Sequence, residues 1–271
     1  MKKVIFIALL VIMVCVFLLS GWKVLRGMWE YHVGVKHYEN ITQYVSVPEP
    51  EETKPKKEKP QETSPTEEAA IPETQPEEED TLIWPEVDFE ALHAINPDVI
   101  GWIYLPDTQV NYPLLQGDTN DEYLYTLMTG EYNGAGSIFL DADLPSDFSA
   151  QNNVVYGHNM INGTMLADFA DYRDQTYYEA HPYIMLMTPD ANYCVRIFSG
   201  YVIDIWGDAW KTFFAGDEFD QWLQERTERS FFEADVVPTT GDHIITFSTC
   251  TYESDDARFI LHGILEKHNI E

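Results

Sequence analysis

The run His243-Ile244-Ile245-Thr246-Phe247-Ser248-Thr249-Cys250, followed after a polar turn by Arg258-Phe259-Ile260-Leu261, constrains the fold more than any other part of the chain. Ile245 and Phe247 fall on one side, and Thr246, Ser248 and Cys250 on the other, which is the period of a half-buried strand. Thr251 to Ala257 carries Glu253, Ser254, Asp255 and Asp256 and is too polar to continue it. Alternation resumes at Arg258 and runs through His262 to Leu265. Two such strands joined by a turn make a hairpin, and a hairpin returns Arg258 to the neighbourhood of Cys250. A thiol at a strand's end, on its more polar face, thus gains a guanidinium as neighbour by connectivity alone. The acidic residues Glu253, Asp255 and Asp256 are expected to be a solvated turn.

The amino-terminal part places the protein. Val4 to Trp22 is almost wholly apolar, and at about 1.5 Å per residue it spans roughly 28 Å, close to a bilayer's hydrocarbon thickness. Lys2 and Lys3 precede the run, and no Ala-x-Ala-like cleavage site follows Leu19-Ser20-Gly21-Trp22. Residues 1–22 therefore read as a cytoplasmic stub and an uncleaved transmembrane anchor rather than a signal peptide. The amino terminus is expected inside and the bulk of the chain outside, although Lys23 and Arg26 on the far side reduce the charge bias. Residues 23–47, with Trp29, Tyr31, Tyr38 and Tyr44, suit a juxtamembrane helix. Residues 48–80 are dense in Pro, Glu, Thr and Lys and cannot bury enough apolar surface to order themselves. They read as a disordered spacer that holds residues 81–271 away from the membrane.

Those last residues form one domain with seven Lys and Arg against 32 Asp and Glu, a net charge of −25. So acidic a surface argues against nucleic acid and anionic lipid as partners, since both need cationic contacts. It also makes a cation beside Cys250 less a matter of chance. The three cysteines give no disulfide framework. Cys15 lies in the anchor, and Cys194 in Tyr193-Cys194-Val195-Arg196-Ile197-Phe198 reads as a buried structural thiol. A Cys194–Cys250 bridge is allowed by count, but a lone cysteine at a strand end outside the cell invites a functional reading. No ligand-like spacing points to a metal, and no cofactor is expected.

Through the domain, Asp88 caps a short helix ending near Ile95. Strands are expected over 99–104, 110–116, 136–141, 153–158, 183–188 and 193–205, in addition to the two already described. Pro113 puts part of the second of these at an edge or bulge. Residues 121–128 and 164–172 read as short helices, and 217–229 as an amphipathic helix with Phe219, Trp222 and Leu223 on one face. About eight short strands with brief helices imply a mainly β fold, a closed and mostly antiparallel eight-stranded barrel, because closure removes the sheet's edges. His158 follows Val154-Val155-Tyr156-Gly157 at a strand end, where a side chain can project from the barrel rim into a cleft; a single backbone hydrogen bond is the plainer role for it. His262 shares a strand face with Arg258 but sits within an apolar strand, as a packed residue would.

Asn153-Val154-Val155-Tyr156-Gly157-His158-Asn159, Thr246-Phe247-Ser248-Thr249-Cys250 and Arg258-Phe259-Ile260-Leu261-His262-Gly263 together resemble the sortases, cysteine transpeptidases of Gram-positive cell surfaces. Asn96-Pro97-Asp98-Val99-Ile100-Gly101-Trp102-Ile103, Tyr112-Pro113-Leu114-Leu115-Gln116 and Gly136-Ser137-Ile138-Phe139-Leu140-Asp141 look like class B in particular, as does the long helix before the cysteine strand. The resemblance covers residues 87–267. Phe247 stands where many sortases have Leu, a conservative departure.

The resemblance implies that Cys250 is the nucleophile, His158 the general acid/base and Arg258 the group that stabilises the oxyanion or the bound peptide. A free thiol titrates near ~8.5 and is mostly protonated at neutral pH, so cationic His158 and Arg258 nearby would favour the thiolate. The implied substrate is the C-terminal sorting signal of a secreted protein, an Asn-Pro-x-Thr-Gly-like pentapeptide cleaved after Thr. The acyl group would pass to a peptidoglycan precursor or a pilin amine. Ser248, on the same strand face as Cys250, is placed to contact the peptide, and residues 207–240 to wall its groove. Two other readings stay open: a surface cysteine protease that uses water instead of an amine, and a tethered barrel that only binds peptide or cell wall.

Overall fold

The computed structural model describes residues 2–48, 82–254 and 256–268. Apart from Pro48, the expected disordered spacer lies outside the described residues, as does Asp255. The strands are Val45–Ser46 (β1), Glu86–Val87 (β2), Val99–Tyr104 (β3), Asn111–Leu115 (β4), Ile138–Leu140 (β5), Asn152–Tyr156 (β6), Tyr183–Met187 (β7), Asn192–Asp204 (β8), Ile244–Cys250 (β9) and Ala257–His268 (β10). The helices are Lys2–Ile41 (α1), Phe89–Ile95 (α2), Gln175–Ala180 (α3) and Glu218–Glu228 (α4), with 3-10 turns over Thr42–Tyr44 and Ala167–Arg173.

Eight of the strands close into a barrel in the order β10-β8-β7-β3-β4-β5-β6-β9, and β9 pairs back onto β10. The ladders β4–β5 and β6–β9 are parallel and the other six are antiparallel. The closed eight-stranded barrel is as expected, and its mostly antiparallel character is refined to a mixed sheet by the two parallel ladders. Period-two alternation looks the same whichever way a strand runs, so it cannot reveal a parallel pairing made by a crossover. Pro113 of β4 comes one residue before the ladder to β5 begins at Leu114, an edge-like position for a residue with no N–H to give.

Alternation does decide what lies inside. Ile245 and Phe247 of β9 join Leu261 and Phe259 of β10, Val195 and Ile197 of β8 and Ile103 of β3 in the largest buried cluster. Apolar burial of this kind contributes about 25 cal/mol per Å² removed from water. Outside the barrel, α4 lays Phe219, Trp222 and Leu223 against Phe198, Ile244 and Ile264, the face its sequence pattern implies. Asp88 caps α2, its Oδ1 accepting from Ala91 N at 2.9 Å.

Two short helices come out differently. Residues 164–172 contribute only the 3-10 turn. Residues 121–128 are turns and a bridge, because Tyr123 O accepts from Ser137 N at 3.0 Å and Tyr125 O from Asn133 N at 2.9 Å. Carbonyls engaged by distant donors cannot close helical turns.

Residues Lys2–Ile41 form one unbroken helix, α1, long and apolar enough to cross a bilayer; the helix expected over 23–47 stops at Ile41, where the 3-10 turn and then β1 take over. Its apolar side chains from Val4 to Trp29 are exposed. Its last turns dock on the barrel: Tyr38 and Ile41 are buried, and Tyr38 Oη donates to Gly136 O at 2.5 Å. Gly136 has φ +55°, where a Cβ would stand 2.3 Å from Leu124 O, so only glycine fits there. Asn133 Nδ2 donates to Glu30 O at 2.9 Å. Beyond α1, β1 pairs with β2, Val45 opposite Val87. The described chain on either side of residues 49–81 is therefore joined in one ladder, so the length between does not set the separation between α1 and the barrel.

Candidate active site

The β9–β10 register puts Cys250 directly opposite Arg258. Residues so paired on antiparallel strands have Cβ atoms roughly 4.5–5.5 Å apart. On the other side of β9, β6 runs parallel with Tyr156 opposite Ser248, and Gly157 N donates to Ser248 O at 3.3 Å. A Cβ on Gly157 would lie 2.7 Å from Leu166 Cδ1, so glycine lets the chain turn tightly as it leaves β6. Asn159 Nδ2 then donates to Cys250 O at 3.0 Å, which clamps the segment after His158 to the cysteine. Cys250, His158, Arg258 and Ser248 line one cavity of about 340 Å³, together with Leu124 and Trp210.

His158 Nε2 lies 2.7 Å from Leu124 O. A carbonyl only accepts, so Nε2 carries the proton and Nδ1 is the nitrogen left to take one. Burial pushes the imidazole below its usual 6.5, the Leu124 bond opposes this, and Arg258 adds to the lowering. His158 is thus mainly neutral near pH 7. The expectation of a cationic His158 is corrected: of the pair, only Arg258 is a standing cation. Arg258 Nη1 donates to Ala257 O at 2.9 Å. Ser248 is 4% exposed and its Oγ accepts from Trp210 Nε1 at 3.0 Å.

His262 lies elsewhere, fully buried on β10, with Nδ1 2.7 Å from Thr246 Oγ1 and Nε2 2.9 Å from Tyr201 Oη. Glu253 is not merely solvated, since its Oε1 meets Arg173 Nη1 at 2.7 Å; Asp256 is exposed. Arg173 Cζ also sits 5.4 Å from the centre of the Phe259 ring and ties the turn between Cys250 and Arg258 to the barrel. All three cysteines are free. Cys194 is half-buried rather than buried, and desolvation pushes its thiol up to about 11, which keeps it protonated at neutral pH. Among the described residues no cluster of His, Cys, Asp and Glu is arranged to hold a metal.

Leu124 and Trp210 are site residues that sequence reasoning passed over. Leu124 acts through its carbonyl, which no side-chain pattern reports. Trp210 carried a weak signal, a large aromatic in the polar stretch Trp206-Gly207-Asp208-Ala209-Trp210-Lys211, inside the segment expected to wall the groove.

A thiol, a neutral imidazole and a guanidinium at one end of a closed barrel can together attack a carbonyl, move the proton and stabilise the oxyanion, the chemistry of thiol-dependent acyl transfer. No family model matches the chain. Sortase B of Listeria monocytogenes is 31% identical over 261 residues, 95% of each chain. The crystal structure of Staphylococcus aureus sortase B matches with a TM-score of 0.64 at 34% identity, covering 67% of this chain and 87% of that one. The S. aureus sortase B–substrate complex also gives 0.64 at 34% identity, covering 67% and 85%. The chain belongs to the sortase B family and is a sortase transpeptidase.

Proposed function

We propose that this sortase works at the cell surface on the C-terminal sorting signals of secreted proteins, with an Asn-Pro-x-Thr-Gly-like motif as donor. Cys250 is the nucleophile, His158 the general acid/base and Arg258 the oxyanion stabiliser. The observation that carries the assignment is the pairing of Cys250 with Arg258 across β9–β10 while His158 lines the same cavity.

Neutral His158 accepts the thiol proton at Nδ1 as the sulfur attacks the Thr carbonyl, and the guanidinium of Arg258 meets the oxyanion. Collapse of the tetrahedral intermediate breaks the Thr–Gly bond, and His158 returns its proton to the departing amine. The resulting thioester is attacked by an acceptor amine, from a peptidoglycan precursor or a pilin lysine, which restores the thiol. Ser248 contacts the peptide in the groove beside Cys250. That a relative was solved as a substrate complex supports a peptide-sized site in this barrel. The exposed apolar length of α1 supports a membrane anchor over residues 1–22 that continues as a juxtamembrane helix to Ile41, amino terminus cytoplasmic and residues 81–271 as the extracellular catalytic domain.

The test uses the full chain in detergent micelles with a quenched Asn-Pro-x-Thr-Gly-type peptide and an added amine, read by mass spectrometry against Cys250→Ala. An amine-linked product that disappears in the variant is expected. Cleavage indifferent to amine would assign a protease, and turnover that survives Cys250→Ala would remove the nucleophile assignment.

A further inference from the structure

A one-way chain of buried hydrogen bonds runs from the barrel wall to the cleft. Thr246 Oγ1 has a single proton and donates it to Asn152 Oδ1 at 2.5 Å. It must then accept from Nδ1–H of His262, 2.7 Å away, and Nε2 of that ring accepts from Tyr201 Oη at 2.9 Å. Asn152 Nδ2 spends its two protons on Ala209 O at 3.2 Å and Lys211 O at 2.9 Å. Those carbonyls flank Trp210. His262, Thr246 and Asn152 are each 0% exposed.

The segment is also held from α4. Trp222 Nε1 donates to Asp208 O at 2.9 Å, and Arg226 Nη1 meets Asp208 Oδ1 at 2.6 Å. Trp210 is left with one face on the cavity it shares with Cys250 and its N–H on Ser248. Burying an amide and a hydroxyl costs free energy unless each is bonded, and apolar residues would close this surface without that risk. A surface loop does not need an asparagine whose donors grip both sides of one tryptophan; a recognition wall that must not move does.

We infer that Asn152 is a positioning residue for substrate recognition: it fixes Trp210 as the rigid wall against which the acyl-donor peptide packs. The inference rests on the reading of the cleft given above. Asn152→Asp keeps the shape but loses both donors, and Trp210→Ala removes the wall. Each is expected to raise the KM for the peptide by about tenfold, the equivalent of one lost contact of ~1.4 kcal/mol. In Asn152→Asp, kcat at saturating peptide and the rate of Cys250 alkylation by iodoacetamide, which needs no wall, should stay within about twofold. The double variant should be no worse than either single one, because both lose the same wall. Trp210→Phe, which keeps a ring and loses only the N–H, should change KM by less than about threefold.

The measurements use the full chain in detergent, with thermal melting alongside. An unchanged peptide KM in Asn152→Asp, additive losses in the double variant, or kcat, alkylation and melting temperature falling together would each overturn the inference. Should Asn152→Asp not fold, Thr246→Val, which unpins Asn152 Oδ1, must raise KM in the same direction, and an unchanged KM there would equally overturn it. Turnover surviving Cys250→Ala would instead remove the cleft reading, a separable outcome.

Discussion

His158, just beyond β6, and His262, within β10, come from the two sides of β9 and are placed in opposite ways. His158 stands just past the end of β6, has one nitrogen on a backbone carbonyl and lines the cavity with the other still available. His262 lies in mid-β10 with both nitrogens bonded, its ring stacked near Phe198 at 5.7 Å and met edge-on by Trp222 at 5.1 Å. In both, burial is the first cause holding the imidazole below 6.5, assisted by Arg258 for one and by Arg226 for the other. A depressed pKa therefore does not tell the proposed acid/base from a packed ring. What separates the two is one unspent nitrogen at a strand end.

The largest effect should come from replacing each ring in turn. His158→Gln is expected to lower kcat/KM by about 10²–10⁴-fold, the usual worth of a general acid/base, with little change in melting temperature. His262→Ala should do the reverse: it leaves Thr246 and Tyr201 without their partner and costs about 1–3 kcal/mol of stability in denaturant titrations, while the folded fraction keeps the mechanism. A His262 variant that is stable but as inactive as His158→Gln would collapse the comparison.

A smaller effect is the pH dependence of stability. Both histidines have folded-state pKa values below the unfolded 6.5, so the unfolded chain binds protons that the folded one does not. The stabilisation is present above pH 6.5 and is lost as pH falls. Each histidine contributes a slope of at most about 1.4 kcal/mol per pH unit. Relief of carboxylate repulsion at low pH acts in the opposite direction, so the test is a difference between wild type and His262→Gln over pH 6.5 to 5. The gap should narrow as pH falls, and a constant gap would mean that His262 titrates alike folded and unfolded. The smallest effect is on activity: with a neutral His158 as base, the acid limb of kcat/KM should fall below pH 6.5.

Much of this was legible because it is local. Alternation marked β9 and β10 and gave Cys250 and Arg258 as neighbours, and the helical period of residues 217–229 put Phe219, Trp222 and Leu223 on the buried face of α4. His158 was singled out by its place after Gly157, but that place alone favoured a single backbone hydrogen bond, and its acid/base role came only from the resemblance. Leu124 was not, since a carbonyl has no letter of its own and residues 121–128 imitate a helix until distant donors take their carbonyls. Arg226 was not either: a charge on a helix reads as solvated, and only the fold brings Asp208 within 2.6 Å of it.

By itself the sequence determined the strands, the hairpin that pairs thiol with guanidinium, the apolar length of α1 and the acidity of the domain, since each follows from neighbours along the chain. The tertiary structure alone decided the parallel ladders, the meeting of β1 with β2 across the 48–80 segment, the docking of α1, and the carbonyls that aim His158 and hold Trp210. These are contacts between residues far apart in sequence. Their partners are selected by closure of the barrel, and no local period encodes that.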